Sequence, residues 1–215
     1  MKNPKTKRMD LSLFQKTWIK IRHGMVFQVI KNRFARIGFE IVPYIFFREG
    51  VGRINEPEIK GDISDYSFAF LGTADMKVIA ESDTGYHEND YLTFLAAGNL
   101  CVGVRLGDQI AAYMWINLKE CKFKESIMPL ELDEAYLWNM YTMESFRGMN
   151  LAPYLRYKSY EVLKEMGRDK LYSISEYFNT PAIKFKLKLK ASRLRLGLYI
   201  KLFKKYHWDL TLRSY

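Results

Sequence analysis

The stretch EAYLWNMYTMESFRGMNLAPYLR, residues 134–156, decides how this chain folds. Glu134 to Thr142 is almost continuously apolar or aromatic, which is how a central strand covered on both faces reads. Met149 to Met166 predicts a helix with Leu151, Ala152, Leu155 and Tyr160 on one face, closed by Gly167. Arg147-Gly148 lies between the two. A glycine-bearing turn at a helix N-terminus offers unpaired N–H groups at the positive end of the helix dipole, and so suits an anion.

Downstream, Lys170 to Phe178 predicts the next strand, followed by FNTPAIKF at 178–185. Thr180 there reads as an N-cap, with Pro181 at the first helical position. From Ile183 to Lys190 apolar residues and lysines alternate strictly, which is strand periodicity, while the Thr-Pro start favours a helix. The helical reading is preferred, with lysines along its apolar flank reaching outward.

Upstream, Tyr66 to Leu71 predicts a strand, and Asp75 to Glu81 and Glu88 to Ala97 predict short helices. Leu100 to Leu106 and Gln109 to Leu118 are strands joined at Gly107-Asp108. Arg193 to Phe203 and Trp208 to Leu212 are strand-like runs that close the chain. Before all of these, residues 10–37 predict a basic amphipathic helix, or two broken at Gly24, carrying Leu11, Phe14, Trp18, Ile21 and Met25. Such a helix packs on its own domain or lies on an anionic membrane surface as a peripheral contact. Gly38 to Arg48 predicts a strand in which Pro43 marks an edge or a bulge. A Gly-, Asn-, Pro- and Asp-rich linker over 49–65 separates this extension, residues 1–65, from a domain over 66–215.

Composition bounds the class without choosing the function. With 215 residues, 48% hydrophobic and 27% charged, the chain has room for one domain with a sizeable core. No apolar run approaches the roughly 18 residues that cross a bilayer, and residues 1–8 lack a signal-peptide apolar region. Cys101 and Cys121 have no metal-ligand spacing, so no metal site and a reduced, cytoplasmic setting are expected. His23, His87 and His207 are scattered. The net charge of +10 favours encounter with anionic partners, among them nucleotides, phosphopantetheine carriers, nucleic acid and anionic lipid.

The order strand, R-G-x-x-L-A, helix, strand, Asn resembles the pyrophosphate-binding core of the GNAT N-acetyltransferase superfamily, over roughly residues 66–215. The resemblance implies an α+β (α/β) fold: a mixed, mostly antiparallel twisted sheet flanked by helices, with a V-shaped parallel splay between two central strands. It implies acetyl-CoA or another acyl-CoA as donor and a small-molecule amine as acceptor. The backbone N–H groups of Gly148, Met149, Asn150, Leu151 and Ala152 would then bind the pyrophosphate. Met140, Tyr141 and Thr142 would pair with the pantetheine amides, and Asn179 would contact the carrier. The family's loop reads Arg or Gln, two residues, Gly, one residue, then Gly or Ala. Arg147 and Ala152 match it, and Asn150 stands where the Gly is usual.

Acyl transfer to an amine needs a base, a stabilised oxyanion and a proton for the leaving thiolate. Glu134 lies thirteen residues before Arg147, an offset resembling the base of the histone-acetylating branch; Glu144 and Glu176 are rivals. The family's acid is a Tyr seven residues after the Asn, a position held here by Lys186. A direct ternary-complex attack is expected, because neither Cys lies near the loop. One variant takes a long acyl chain from acyl carrier protein, as N-acyl amino acid synthases do. The basic run from Lys184 to Lys205, with nine Lys or Arg and no acid, suits that acidic partner. From a different class, the same run could serve a non-enzymatic module that binds nucleic acid or anionic surfaces.

Overall fold

The structure, a computed structural model, describes residues 38–215 apart from 51, 53, 62–64, 83 and 84. The helix expected over 10–37 lies outside the described residues. Two compact units divide the chain: Met1–Val42 with Tyr199–Trp208, and Pro43–Leu198 with Asp209–Tyr215. In the smaller unit Phe203 and Lys204 both adopt positive φ, and Gly38 accepts the Lys204 N–H at 3.3 Å.

The elements run β1 (Glu40–Glu49), β2 (Tyr66–Leu71), α1 (Met76–Ser82), α2 (Glu88–Ala96), β3 (Leu100–Leu106) and β4 (Gln109–Asn117). A hairpin of β5 (Glu120–Phe123) and β6 (Ser126–Pro129) follows, then β7 (Glu134–Thr142) and α3 (Leu151–Glu165). The chain closes with β8 (Lys170–Glu176), α4 (Thr180–Lys188), β9 (Ser192–Leu202) and β10 (Tyr206–Ser214). The main sheet of the larger unit has the order β10-β9-β1-β8-β7-β4-β3-β2. In it β1 with β8, β2 with β3, β3 with β4 and β4 with β7 pair antiparallel, and β7 pairs with β8 in parallel. This is the mixed, mostly antiparallel α+β arrangement that the resemblance over residues 66–215 implies.

Side-chain alternation in β4 explains why both faces are covered. Met114 and Ile116 join Val102, Val104 and Leu137 beneath Leu151, Leu155 and Leu163 of α3. Tyr113 and Trp115 point the other way, to Met76, Ile79 and Tyr91 of α1 and α2. A strand buried on both faces cannot alternate apolar and polar residues, and β4 does not.

Three local readings shift. Pro43 reads as an edge or a bulge, and of these the edge is excluded, since β1 is interior, between β9 and β8. Its registered pairs with β8 run from Tyr44 to Glu49, so the missing N–H of Pro43 falls outside them, and its carbonyl accepts from Tyr177. The α4 cap is Asn179, one residue before the expected Thr180; its Oδ1 accepts from Ala182 N–H at 3.3 Å. The ambiguous alternation over 183–190 is indeed helical through Lys188. Its buried positions are Ile183, Lys186 and Leu189, so Lys186 points inward instead of reaching out.

Candidate functional site

The parallel pair β7/β8 opens almost as soon as it forms. Glu134, Ala135 and Tyr136 pair with Lys170, Leu171 and Tyr172, and no registered pair follows. Further along, β7 stays bound to β4 while β8 stays bound to β1. A bulge helps separate them: Trp115 faces Trp138 and Tyr113 faces Tyr141, so Asn139 and Met140 share the place opposite Met114. Asn139 takes φ +42, the left-handed turn that such a bulge needs. From Leu137 to Thr142, the β7 edge that faces β8 therefore has no strand partner among the described residues. That leaves it able to pair with an extended ligand.

The wedge is a cleft of about 490 Å³, well within the range of small-molecule sites. Its walls include Tyr136 to Met140 of β7, Ile174 to Glu176 of β8, Asn179, Phe185 and Lys186 of the α4 region, and Arg156 of α3. Four buried side-chain nitrogens on these walls have no hydrogen-bond partner among the described residues: Trp138 Nε1, Asn139 Nδ2, and Arg156 Nε and Nη1. All four are donors. Buried donors are nearly always satisfied, so this wall is built for a ligand rich in acceptors.

At the outer end of β7 the chain turns through Glu144–Phe146, with Phe146 buried as an anchor. Gly148 has φ +86 and Asn150 is left-handed at φ 64, ψ 22. Asn tolerates that region better than other non-glycine residues, and its Nδ2 donates to the Glu58 carbonyl at 2.6 Å. Lys60 N–H donates to the Met149 carbonyl at 3.0 Å. The turn is thus pinned from behind, while the N–H groups of Gly148, Met149, Asn150, Leu151 and Ala152 have no partner among the described residues. Arg147 does not reach away from this turn. Its guanidinium donates to the Thr142 carbonyl, the Glu144 carboxylate and the Tyr141 hydroxyl.

The three candidate carboxylates are not brought together. Glu134 lies at the closed end of the wedge, accepting from Tyr172 hydroxyl at 2.9 Å and Glu131 N–H at 3.0 Å. Glu144 is largely exposed and pairs with Arg147. Glu176 lies on the cleft wall, as does Asn179, whose side chain also caps α4.

Behind the wall sits a charged cluster that the sequence reading passed over. Glu49 is fully buried on β1; its Oε2 accepts from Tyr160 hydroxyl at 2.5 Å and its Oε1 accepts from Ser173. Arg156 Nε lies 3.5 Å from Oε2, and Lys186 Nζ 3.8 Å from Oε1. Burial alone would raise the Glu49 carboxyl, but Arg156 and Lys186, with the two hydroxyls, hold it below the usual range. Burial, opposed by Glu49 and reinforced by Arg156, pulls Lys186 down to about 7. The signal that could have found the pair is periodicity, since Arg156 lies between Leu155 and Ser159 on the buried stripe of α3.

A second cavity of about 350 Å³ shares Phe123 and Ile174 with the wedge. The β5/β6 hairpin forms one side of it, and Tyr44, Phe46, Arg195 and Asp209 the other. Cys121 lines it too, but burial pushes that thiol up to about 12 and raises the Cys101 thiol as well. Neither is an activated nucleophile.

No curated protein sequence matches the chain. Among solved structures it is similar to a GNAT-family acetyltransferase from Colwellia psychrerythraea, at 15% identity and a TM-score of 0.58, covering 76% of this chain and 57% of that one. A putative GNAT-family acetyltransferase from Novosphingobium aromaticivorans aligns at 17% identity and a TM-score of 0.54, covering 76% and 65%. A putative acetyltransferase from Salmonella typhimurium, solved with its cofactor acetyl-CoA, aligns at 13% identity and a TM-score of 0.50, covering 71% and 96%. The chain thus spans less than two thirds of the length of the first two, and at such identities the likeness speaks for the fold. The family model for the acetyltransferase (GNAT) family matches residues 68–189, from β2 to just past α4. With more than half of its residues inside that match, the chain belongs to the GNAT acetyltransferase family.

Proposed function

We propose that this protein is an N-acyltransferase that moves an acyl group from acyl-CoA to the amine of a small molecule, by direct attack within a ternary complex. The observation that carries the reading is the open β7 edge leading from an unpartnered N–H turn into the wedge. The pyrophosphate sits against the N–H groups of Gly148 to Ala152, where partial positive charge collects. Pantetheine amides pair along Met140 to Thr142 like an added strand, and the thioester reaches the bulge at Asn139. The Asn139 amide, a buried donor on the cleft wall, stabilises the oxyanion as the carbonyl becomes tetrahedral.

The acceptor enters from the neighbouring cavity bounded by the β5/β6 hairpin. Its amine must lose a proton, and Glu176 is the best placed of the three carboxylates because it lies on the wedge wall. The raised thiols of Cys101 and Cys121 favour direct attack over a covalent enzyme intermediate. Delivery of the acyl group by acyl carrier protein is the second reading, supported by Lys122 and Lys124 on the cleft and exposed Lys184 and Lys188 on α4.

The test is thiol release. Full-length protein is incubated with acetyl- to palmitoyl-CoA and a panel of primary amines, and free CoA is followed together with product mass. Amine-dependent thiol release with a matching N-acyl product supports the reading. Release only from acyl-loaded carrier protein selects the second, and release from neither overturns both.

A further inference from the structure

The unpaired donors of the wedge are unevenly distributed. Arg156 is only 2% exposed, yet among the described residues its Nη1 has no acceptor and its Nε makes a 3.5 Å ion pair without a hydrogen bond. The nearest carboxylate, Glu49, does not satisfy it in this geometry. Both Glu49 oxygens already accept from hydroxyls, Oε2 from Tyr160 and Oε1 from Ser173. The guanidinium packs 5.6 Å from the Phe185 ring centroid, and both residues border the cleft. A guanidinium carries a planar fork of donors matched to a carboxylate. Here part of that fork is buried, unfilled and beside a ligand-sized space.

The surrounding charges point the same way. Lys186, also 2% exposed, borders the same cleft and donates to the Ile174 carbonyl at 3.2 Å. The charged and titratable groups around these two side chains are Glu49 from β1, Tyr160 from α3 and, on the cleft walls, Tyr136 from β7, Glu176 from β8, Lys122 and Lys124 of the β5/β6 hairpin and Tyr86. Tyr136 and Tyr160 are held neutral by burial, and Glu49 is the carboxylate paired with both basic side chains. Buried charges are normally matched one for one and hydrogen-bonded. An anionic group entering the wedge would supply the missing acceptor and a further negative charge beside the two basic side chains.

We propose that the Arg156 side of the wedge is a receptor for a carboxylate carried by one of the two substrates, the transferred acyl group or the amine acceptor. The inference rests on the acyltransferase reading and narrows it: the donor is a dicarboxylic acyl thioester, or the acceptor is an amino acid. No bond is made or broken at Arg156; it recognises and orients. Because burial has already lowered the Lys186 affinity for protons, an arriving carboxylate returns a proton to Lys186.

Two matched comparisons with the full-length wild type separate the sources. Calorimetry compares succinyl-CoA with butyryl-CoA, and, with acetyl-CoA present, amino acids with their amides. A carboxylate on the correct substrate should tighten binding by about tenfold, as one charge-assisted hydrogen bond in a buried site does. At pH 8, titrations in buffers of different ionisation enthalpy should show proton uptake with the carboxylate ligand and none with its neutral partner. Arg156→Met should bring the tenfold ratio close to one, and Arg156→Lys should restore part of it. If both neutral ligands bind as tightly as their carboxylates in the wild type, the receptor is wrong although the acyltransferase reading survives. If no CoA thioester binds at all, the reading beneath it fails as well. The wild-type comparison decides the matter even if the Arg156 variants do not fold.

Discussion

Arg156 Nε lies 3.5 Å from Glu49 Oε2, an ion pair that joins α3 to β1 with almost no exposed surface on either side chain. Removing one partner of a buried pair costs far more than the pair contributes, because the other charge is stranded. Glu49→Ala, which strands two cations, should lose about 3–5 kcal/mol of stability, the usual size of that effect. Lys186→Met should cost little or even stabilise, since Arg156 remains for Glu49. Urea denaturation of the three proteins checks this; equal losses for the two variants would mean that the cluster is not organised around Glu49.

The same cluster sets a pH dependence. Lys186 has a folded pKa of about 7 against an ordinary 10.5, so between these values the unfolded chain binds more protons. Its contribution to stability is therefore most favourable above 10.5, declines as the pH falls, and is flat below about 7. Glu49 is depressed, so its contribution holds above the ordinary carboxyl value of 4.5 and is lost on acidification through its lower folded pKa. Wild type should gain more stability than Lys186→Met between pH 7 and pH 9, measured as the change in urea midpoint. An equal gain in both would exclude a depressed Lys186.

Gly148 and Asn150 hold the turn in left-handed backbone. Asn150→Gly keeps that conformation and loses the Glu58 bond, so it should cost about 1 kcal/mol, the usual net worth of one hydrogen bond, and leave CoA binding within a few-fold. Asn150→Val is β-branched and strained there, and should weaken both stability and CoA binding. Differential scanning calorimetry with and without CoA distinguishes the two effects.

Glu176→Gln should lower kcat by about a hundredfold or more with little change in the acceptor KM, as expected for loss of a general base. Glu144→Gln should leave kcat within a few-fold. If Glu134→Gln behaves as predicted for Glu176→Gln, the base belongs at the closed end of the wedge.

Residues 134–156 carried most of the fold, because a central strand, a Gly-bearing turn and an amphipathic helix leave local marks. The β5/β6 hairpin left none: its turn passes through Lys124 at φ +57 with neither Gly nor Asn there. Lys186 was hidden by a pattern that fits two periods, and only the three-residue spacing of Ile183, Lys186 and Leu189 turns it inward. Glu49 reaches Tyr160 across 111 positions and Ser173 across 124. Such tertiary company has no local signature. The bulge at Asn139 depends likewise on the register between β7 and β4, which no single strand encodes.

The most direct test is thermal unfolding of the full-length protein, wild type and Gly148→Asp, with and without CoA and acetyl-CoA. At a hundredfold the dissociation constant, a ligand of the native state should add about 2.7 kcal/mol and raise Tm by several degrees. The account predicts that shift for wild type and its loss in Gly148→Asp, whose carboxylate would oppose a pyrophosphate at the turn. A wild-type Tm indifferent to both ligands, or a shift that survives Gly148→Asp unchanged, would contradict the placement of the acyl carrier in this wedge.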